Sequence, residues 1–269
     1  MNEPFFNKLR NQCDAKQSRL CIGLDIDFDL FPERIDQTVF GAFDFLKEII
    51  DSTHKVCVAY KLNMAFFEQF GYKGYQLMEK TVEYIDNRAI TICDGKRGDI
   101  GNSSNKYAKS IFSHIGFDSA TISPYMGKDS IIPFLEDSRF GVFVLCLTSN
   151  PSSIDIQRIK ADSKPIYLHI IDIINKLNNK NIGIVVGATQ NSEMSIIREK
   201  SPSTSWLIPG IGKQGGSLEE SVNFGNSNGA YGLISVSRDI LFYNNSEQKD
   251  IFNRTIFYHN QIGKILYEK

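Results

Sequence analysis

The sequence predicts a (β/α)8 barrel of the TIM type, folded as a single domain over residues 1–269. Three observations lead there. Eight short, near-continuously apolar runs are spaced along the chain, each ending in glycine or polar residues, as strands buried on both faces of a parallel sheet do. Stretches of helical period lie between several of them. No composition break or low-complexity segment interrupts the alternation, and the length suits eight such units. An open doubly wound sheet is the competing architecture. Against it, the first strand-to-helix turn lacks a GxGxxG fingerprint.

The elements follow in order. The strand candidates are LCIGLDID (20–27), CVAYKLN (57–63), AITICDG (89–95) and SATISPY (119–125), then GVFVLCLT (141–148), IGIVVGAT (182–189), WLIPGIG (206–212) and YGLISVS (231–237). The first helix candidate, 40–53, puts Phe43, Leu46, Ile49 and Ile50 on one face. A second covers 74–86. A third runs from Asn102 to His114, with Ser103 or Ser104 as its N-cap. Pro165 opens a fourth, as proline does in a first helical turn. Ser217 and Glu220 have capping-box spacing at the head of a fifth, and the tail after Asp250 reads as a closing helix. Ser149 to Lys164 is polar and long for a strand-to-helix loop; a mobile flap and an ordinary surface excursion both fit it.

The bulk numbers narrow the function. With 42% hydrophobic residues the chain can bury a sizeable core. A formal net charge of -1, from 30 Lys+Arg against 31 Asp+Glu, argues against nucleic-acid binding and for a small ligand whose charge is met locally. MNEPFFNKLRNQCD has no unbroken apolar core, so no signal peptide is expected, and no run is long enough to span a membrane. The five cysteines lack CxxC spacing and four lie in strand-like runs; they read as buried hydrophobes in a cytoplasmic protein. The four histidines form no metal-ligand pair, and no metal site is expected.

In such barrels the chemistry sits at the C-terminal ends of the strands. Those ends carry Asp25 and Asp27, Lys61 and Asn63, Asp94 and Lys96, Ser123, the loop GIGKQGG (210–216), and Arg238. DGKRGDIGNS (94–103) is the densest stretch. Asp94 and Lys96 are two apart and project from one face of a strand end, while Asp99 lies in a loop that Gly98 and Gly101 let bend. Taken alone, the stretch fits a surface salt-bridge cluster or a site with shifted pKa values. Lys61, Asp94 and Lys96 together alternate base and acid, which keeps each charged at neutral pH. The glycine loop offers backbone N–H groups to a phosphate, Gln214 adds an amide donor, and Arg238 adds a guanidinium fork. Loops after strands seven and eight are the recurrent phosphate site of these barrels, so a phosphorylated ligand is expected.

These residues resemble the orotidine 5'-monophosphate decarboxylase family over nearly the whole chain. DGKRGDIGNS matches the family's DxKxxD signature, and its KRGDIG form resembles a bacterial-type branch. LDID, YKLN, SPYMG, PGIGKQGG and SVSR fall in the family's order. The resemblance implies decarboxylation of orotidine 5'-monophosphate to UMP and carbon dioxide, without a cofactor, in a homodimer with a shared active site. It implies that Asp25 binds a ribose hydroxyl and that Lys61 contacts the ribose and orients the acidic pair. Asp94, Lys96 and Asp99 would form the charged network, Asp99 reaching into the other subunit's site, joined there by Ser103. Ser123 would hydrogen-bond the pyrimidine. Gln214 and Arg238 would grip the phosphate, with Gly215 leaving it room. Two other readings stand beside this one. Sugar-phosphate decarboxylases or aldolases of the same superfamily share DxKxxD but use magnesium, with an acidic ligand where this chain has Lys61. A non-catalytic nucleotide-phosphate sensor is the third.

Overall fold

The computed structural model describes residues 3–268. Eight parallel strands close a barrel: β1 (Leu20–Gly23), β2 (Ala59–Asn63), β3 (Ile90–Arg97), β4 (Ser119–Ile122), β5 (Gly141–Leu147), β6 (Ile182–Val186), β7 (Trp206–Pro209) and β8 (Leu233–Val236). Closure comes from β1 pairing with β8, Leu20 opposite Ile234. The strands are buried on both faces because helices cover the outside and side chains fill the inside, which is why they read as unbroken apolar runs. The first run reaches the ladder only to Gly23, opposite Lys61; of its LDID end, the Leu24 N–H still donates to the Lys61 carbonyl at 2.9 Å.

The helices of 40–53, 74–86, 102–114, the segment after Pro165, 217–225 and the tail are all present. Thr38 caps the first of them, Val39–Thr53, by accepting the Gly41 N–H at 3.1 Å. Two helix starts differ from expectation. The helix after β3 begins at Gly101, with Ile100 in the cap position and no side-chain acceptor. Ser103 and Ser104 lie inside its first turn, and the Ser104 hydroxyl donates back to the Asp99 carbonyl at 2.6 Å. Pro165 is the residue before Ile166–Leu177 rather than part of its first turn. Helices beyond those expected include Phe5–Ala15, whose Phe5, Leu9 and Cys13 recur at helical spacing, and Asn191–Lys200. In Asn191–Lys200 the inward positions include Glu193 and Arg198, so charged residues mask the apolar period.

Period-two alternation divides the barrel interior into levels. Low in the barrel, Cys21, Ala59, Ile90, Ile92, Phe143, Val185, Leu207 and Leu233 form an apolar plug. The helix Phe5–Ala15 seals it from below with Phe5, Leu9 and Cys13, all fully buried. Phe5 fits because Gly141 has no side chain: a Cβ there would lie 2.0 Å from the ring. The Lys16 ammonium closes the seam by donating to the carbonyls of His54, Cys57 and Arg88. Continuing up the same faces, Lys61 follows Ala59 and Asp94 follows Ile92, so the strands turn polar where they open. All five cysteines are buried and free, and burial pushes the thiols of Cys13, Cys57 and Cys93 up to about 12. Among the described residues no helix is long and apolar enough to cross a membrane.

Candidate active site

A cavity of about 650 Å³ opens at the C-terminal ends of the strands. Asp25, Lys61, Asp94, Lys96, Gln214 and Arg238 line it, six residues that the sequence singled out. Asp99, Ser103, Ser123 and Gly215 lie outside that lining. Asp99 is half-buried in the loop after β3 and accepts the Ile100 N–H at 2.8 Å; Ser103 is exposed on the following helix. Ser123 is half-buried, its backbone tied to Arg97 and Ser130. Gly215 has φ +76 and open space where a side chain would stand.

Asp94 organises the charged end. Its Oδ2 accepts from the Lys61 ammonium at 2.9 Å. Its Oδ1 accepts from the Lys96 ammonium at 2.8 Å and from the Thr121 hydroxyl at 3.0 Å. The Lys61 and Asp94 side chains are 7% and 11% exposed, so neither charge is screened by bulk water, whereas Lys96 is half open at 48%. Burial alone raises a carboxyl pKa; the adjacent Lys61 and Lys96 ammonium groups more than reverse that and hold Asp94 well below the usual carboxylate range. Burial lowers a lysine; Asp94 and Asp25 outweigh it and hold Lys61 above its ordinary range.

Lys96 reaches this position through an irregularity. The β3–β4 register shifts between Cys93 and Arg97, and Lys96 takes φ +46, a left-handed conformation rare outside glycine. Its N–H donates to the Thr121 hydroxyl at 2.9 Å. Thr121 therefore holds both partners of the pair, the backbone of Lys96 and the carboxylate of Asp94. Strain kept by surrounding contacts is a mark of functional sites.

The opposite end of the cavity is built from the β7 and β8 loops. The loop 210–216 runs into the helix Leu218–Gly225, capped by Ser217, which accepts the Glu220 N–H at 3.3 Å. Arg238 starts a short helix after β8 and is exposed. Among the described residues its side chain has no hydrogen bond or ion pair with protein, so the guanidinium is available to a ligand. Asp25 Oδ1 and Ser237 Oγ are buried without partners on this lining. Buried polar atoms are rarely left so unless something else satisfies them.

The segment after β5 has structure of its own: a 3-10 turn (Pro151–Asp155) and a ribbon pairing Lys160–Ala161 with Lys164–Pro165. The Gln157 side chain closes on Thr148 through bonds of 2.8 and 2.7 Å, and Arg158 pairs with Glu193. Ser149 stands at its start and donates to Gln214 Oε1 at 2.8 Å, bridging the β5 and β7 loops over the cavity. Thr121, Ser149 and Ser237 escaped the sequence reading; the alternation of SATI and the SVSR run next to Arg238 were the available signals for the first and last.

The chain is similar to known proteins in both sequence and shape. A family model described as the orotidine 5'-phosphate decarboxylase / HUMPS family matches residues 18–249. A curated Christiangramia forsetii protein, named orotidine 5'-phosphate decarboxylase, is 44% identical over 243 residues, covering 89% of each chain. A Dehalococcoides mccartyi protein of the same name is 41% identical over 244 residues and 88% of each. The solved structure of Leishmania donovani OMP decarboxylase matches with a TM-score of 0.85 at 33% identity, over 98% of both chains.

Proposed function

We infer the roles of these residues from one premise: the chain belongs to the orotidine 5'-phosphate decarboxylase / HUMPS family. It is a decarboxylase of de novo pyrimidine synthesis, converting orotidine 5'-monophosphate to UMP and carbon dioxide.

Loss of carbon dioxide from the pyrimidine ring leaves a carbanion that no carbonyl can delocalise. Catalysis is then electrostatic: a fixed positive charge beside the developing negative one lowers the barrier without reorganising at the moment of reaction. Lys96 supplies that charge and then donates the proton. Asp94 places Lys96, and Lys61 and Thr121 place Asp94. The observation that carries this reading is the single buried carboxylate shared by two ammonium groups on the cavity wall. Asp25 and Ser237, with unpartnered oxygens, fit the ribose hydroxyls. Gln214 and Arg238, with room left by Gly215, grip the phosphate. Binding energy from that remote group is used to order the loops over the cavity and expel water, and the Ser149–Gln214 contact is the joint through which two loops act together.

We propose that Asp99 and Ser103 serve a partner's site, as the family resemblance implies; both lie outside this chain's cavity lining, as that reading requires. The working unit is then a homodimer. Ser123 remains the proposed pyrimidine contact from the β4 side. Five buried free thiols and a small nucleotide substrate suit a cytoplasmic enzyme.

The decisive experiment follows the ultraviolet absorbance of orotidine 5'-monophosphate with purified protein in EDTA, beside Lys96→Ala, Arg238→Ala and Gln214→Ala. Wild type turns over, Lys96→Ala does not, and both phosphate-end variants lose kcat/KM strongly although neither residue touches the reacting carbon. Unchanged kcat/KM in both phosphate-end variants would refute the remote-binding argument. An active Lys96→Ala would refute the proton donor.

A further inference from the structure

The phosphate end of the cavity contains an acid. Asp239 directly follows Arg238 and lines the same cavity. A carboxylate there opposes a phosphate dianion and competes for the guanidinium beside it. Its charge is drawn away to the back. Asp239 Oδ2 accepts from Arg254 Nη2 at 2.6 Å, from Arg254 Nε at 3.1 Å, and from the Tyr258 hydroxyl. Both donors stand on the closing helix Gln248–Tyr267, one turn apart. Asp239 and Arg254 side chains are only 17% and 22% exposed, so this pair is less screened than a surface pair.

Two more contacts fix the arrangement. Arg254 lies over three aromatic rings, with centroid distances of 4.8 Å to Tyr243, 4.6 Å to Phe257 and 5.0 Å to Tyr258. Gly212 of the phosphate loop, at φ +81, backs onto the pair: a Cβ there would lie 2.9 Å from Asp239 Cβ and 3.1 Å from the Tyr258 hydroxyl. The closing helix thus touches both halves of the phosphate site, the β7 loop through Gly212 and the β8 end through Asp239.

We propose that Arg254, with Tyr258, is a positioning residue for phosphate binding: it takes the charge of Asp239, so that Arg238 meets the substrate phosphate as an uncancelled cation. Without Arg254, Asp239 is free to pair with its neighbour Arg238 and to repel the phosphate. This rests on the reading of Arg238 and Gln214 as the phosphate grip.

The test is UMP affinity by titration calorimetry, with kcat and KM for orotidine 5'-monophosphate, for Arg254→Met, Asp239→Asn, the double variant and Arg238→Ala. Arg254→Met is expected to weaken UMP on the order of ten-fold and to raise KM similarly, with a smaller change in kcat. Adding Asp239→Asn to Arg254→Met is expected to restore UMP binding to within about three-fold of wild type, because the unpaired charge is gone. A purely structural Arg254 predicts the opposite, a double variant as weak as the single one, and that result overturns the proposal. So does an Arg254→Met enzyme that binds UMP like wild type while Arg238→Ala does not. If Arg254→Met fails to fold, Asp239→Asn alone decides: it is expected to bind UMP at least as tightly as wild type, and weakening beyond about three-fold overturns the proposal. Unchanged affinity in Arg238→Ala would instead break the underlying reading of the phosphate grip.

Discussion

Asp94→Ala is the sharpest probe of the charged end. The substitution strands the Lys61 ammonium, whose side chain is 7% exposed, with Asp25 as its remaining acidic neighbour. Breaking a buried pair by removing one partner costs about 3–5 kcal/mol, and Asp25 places this case near the lower end, at about 3 kcal/mol. For a chain of this size that corresponds to a fall in Tm of about 6–12 °C. The assay is thermal unfolding by circular dichroism at neutral pH. The pH dependence has a definite sign. Lys61 and Lys96 depress the folded-state pKa of Asp94, so its contribution is fully present above the ordinary carboxylate range. It is lost as pH falls through the folded-state value, and the gap between wild type and variant closes in acid. Replacing both partners by apolar residues, Lys61→Met with Asp94→Leu, removes the desolvation penalty along with the attraction. That double variant is expected to regain most or all of the lost stability while staying inactive. A single-variant loss below about 2 °C, or a double variant no more stable than the single, would refute the claim that Asp94 compensates a desolvated charge.

Three further outcomes follow. Lys96 sits at φ +46, so Lys96→Gly should be more stable than Lys96→Ala by about 1 kcal/mol in urea unfolding, with both inactive; equal stabilities would mean that the backbone is unstrained. Arg198 donates to the carbonyls of Phe224, Ser201, Pro202, Thr204 and Gly225 and stacks 4.0 Å from the Trp206 ring centroid. Arg198→Met should leave those carbonyls short of donors and cost about 2–4 kcal/mol of stability at nearly unchanged KM, which denaturant titration and steady-state kinetics check together. Mixing inactive Lys96→Ala with inactive Asp99→Ala should recover part of the activity through hybrid dimers; no recovery after confirmed subunit exchange would mean that each site is built from one chain.

The barrel was legible because its strands are apolar on both faces, a pattern that survives in one dimension. Their ends were less so: LDID continues the extended chain past Gly23 with one last bond, from the Leu24 N–H to the Lys61 carbonyl, and only the ladder shows where the strand stops. Lys61 and Asp94 stood out because charge inside an apolar run is costly. Thr121 did not, because threonine is at home in any strand. Its role arises from the register shift that brings its hydroxyl to both Lys96 and Asp94. Ser149 is similarly silent, since its contact with Gln214 joins loops 65 residues apart. The Asn191–Lys200 helix was hidden by Glu193 and Arg198, polar residues on its buried side whose partners include the distant Arg158, Phe224 and Gly225.

The helix Phe5–Ala15 also bears on the order in which this molecule is assembled. It emerges from the ribosome before any strand of the barrel it seals. Its seat includes Phe143, Val185, Leu207 and Leu233, and Asp14 is held by Tyr231, 217 residues later. A newly made helix of that kind meets only part of its seat in the first half of the chain, at Cys21, Ala59 and Ile92, and the rest, from Phe143 to Leu233, follows later. Loop closure over such a span is entropically slow. The seal at the bottom of the barrel is therefore incomplete until β8 has been made, and until then part of the helix's apolar face lacks its native cover.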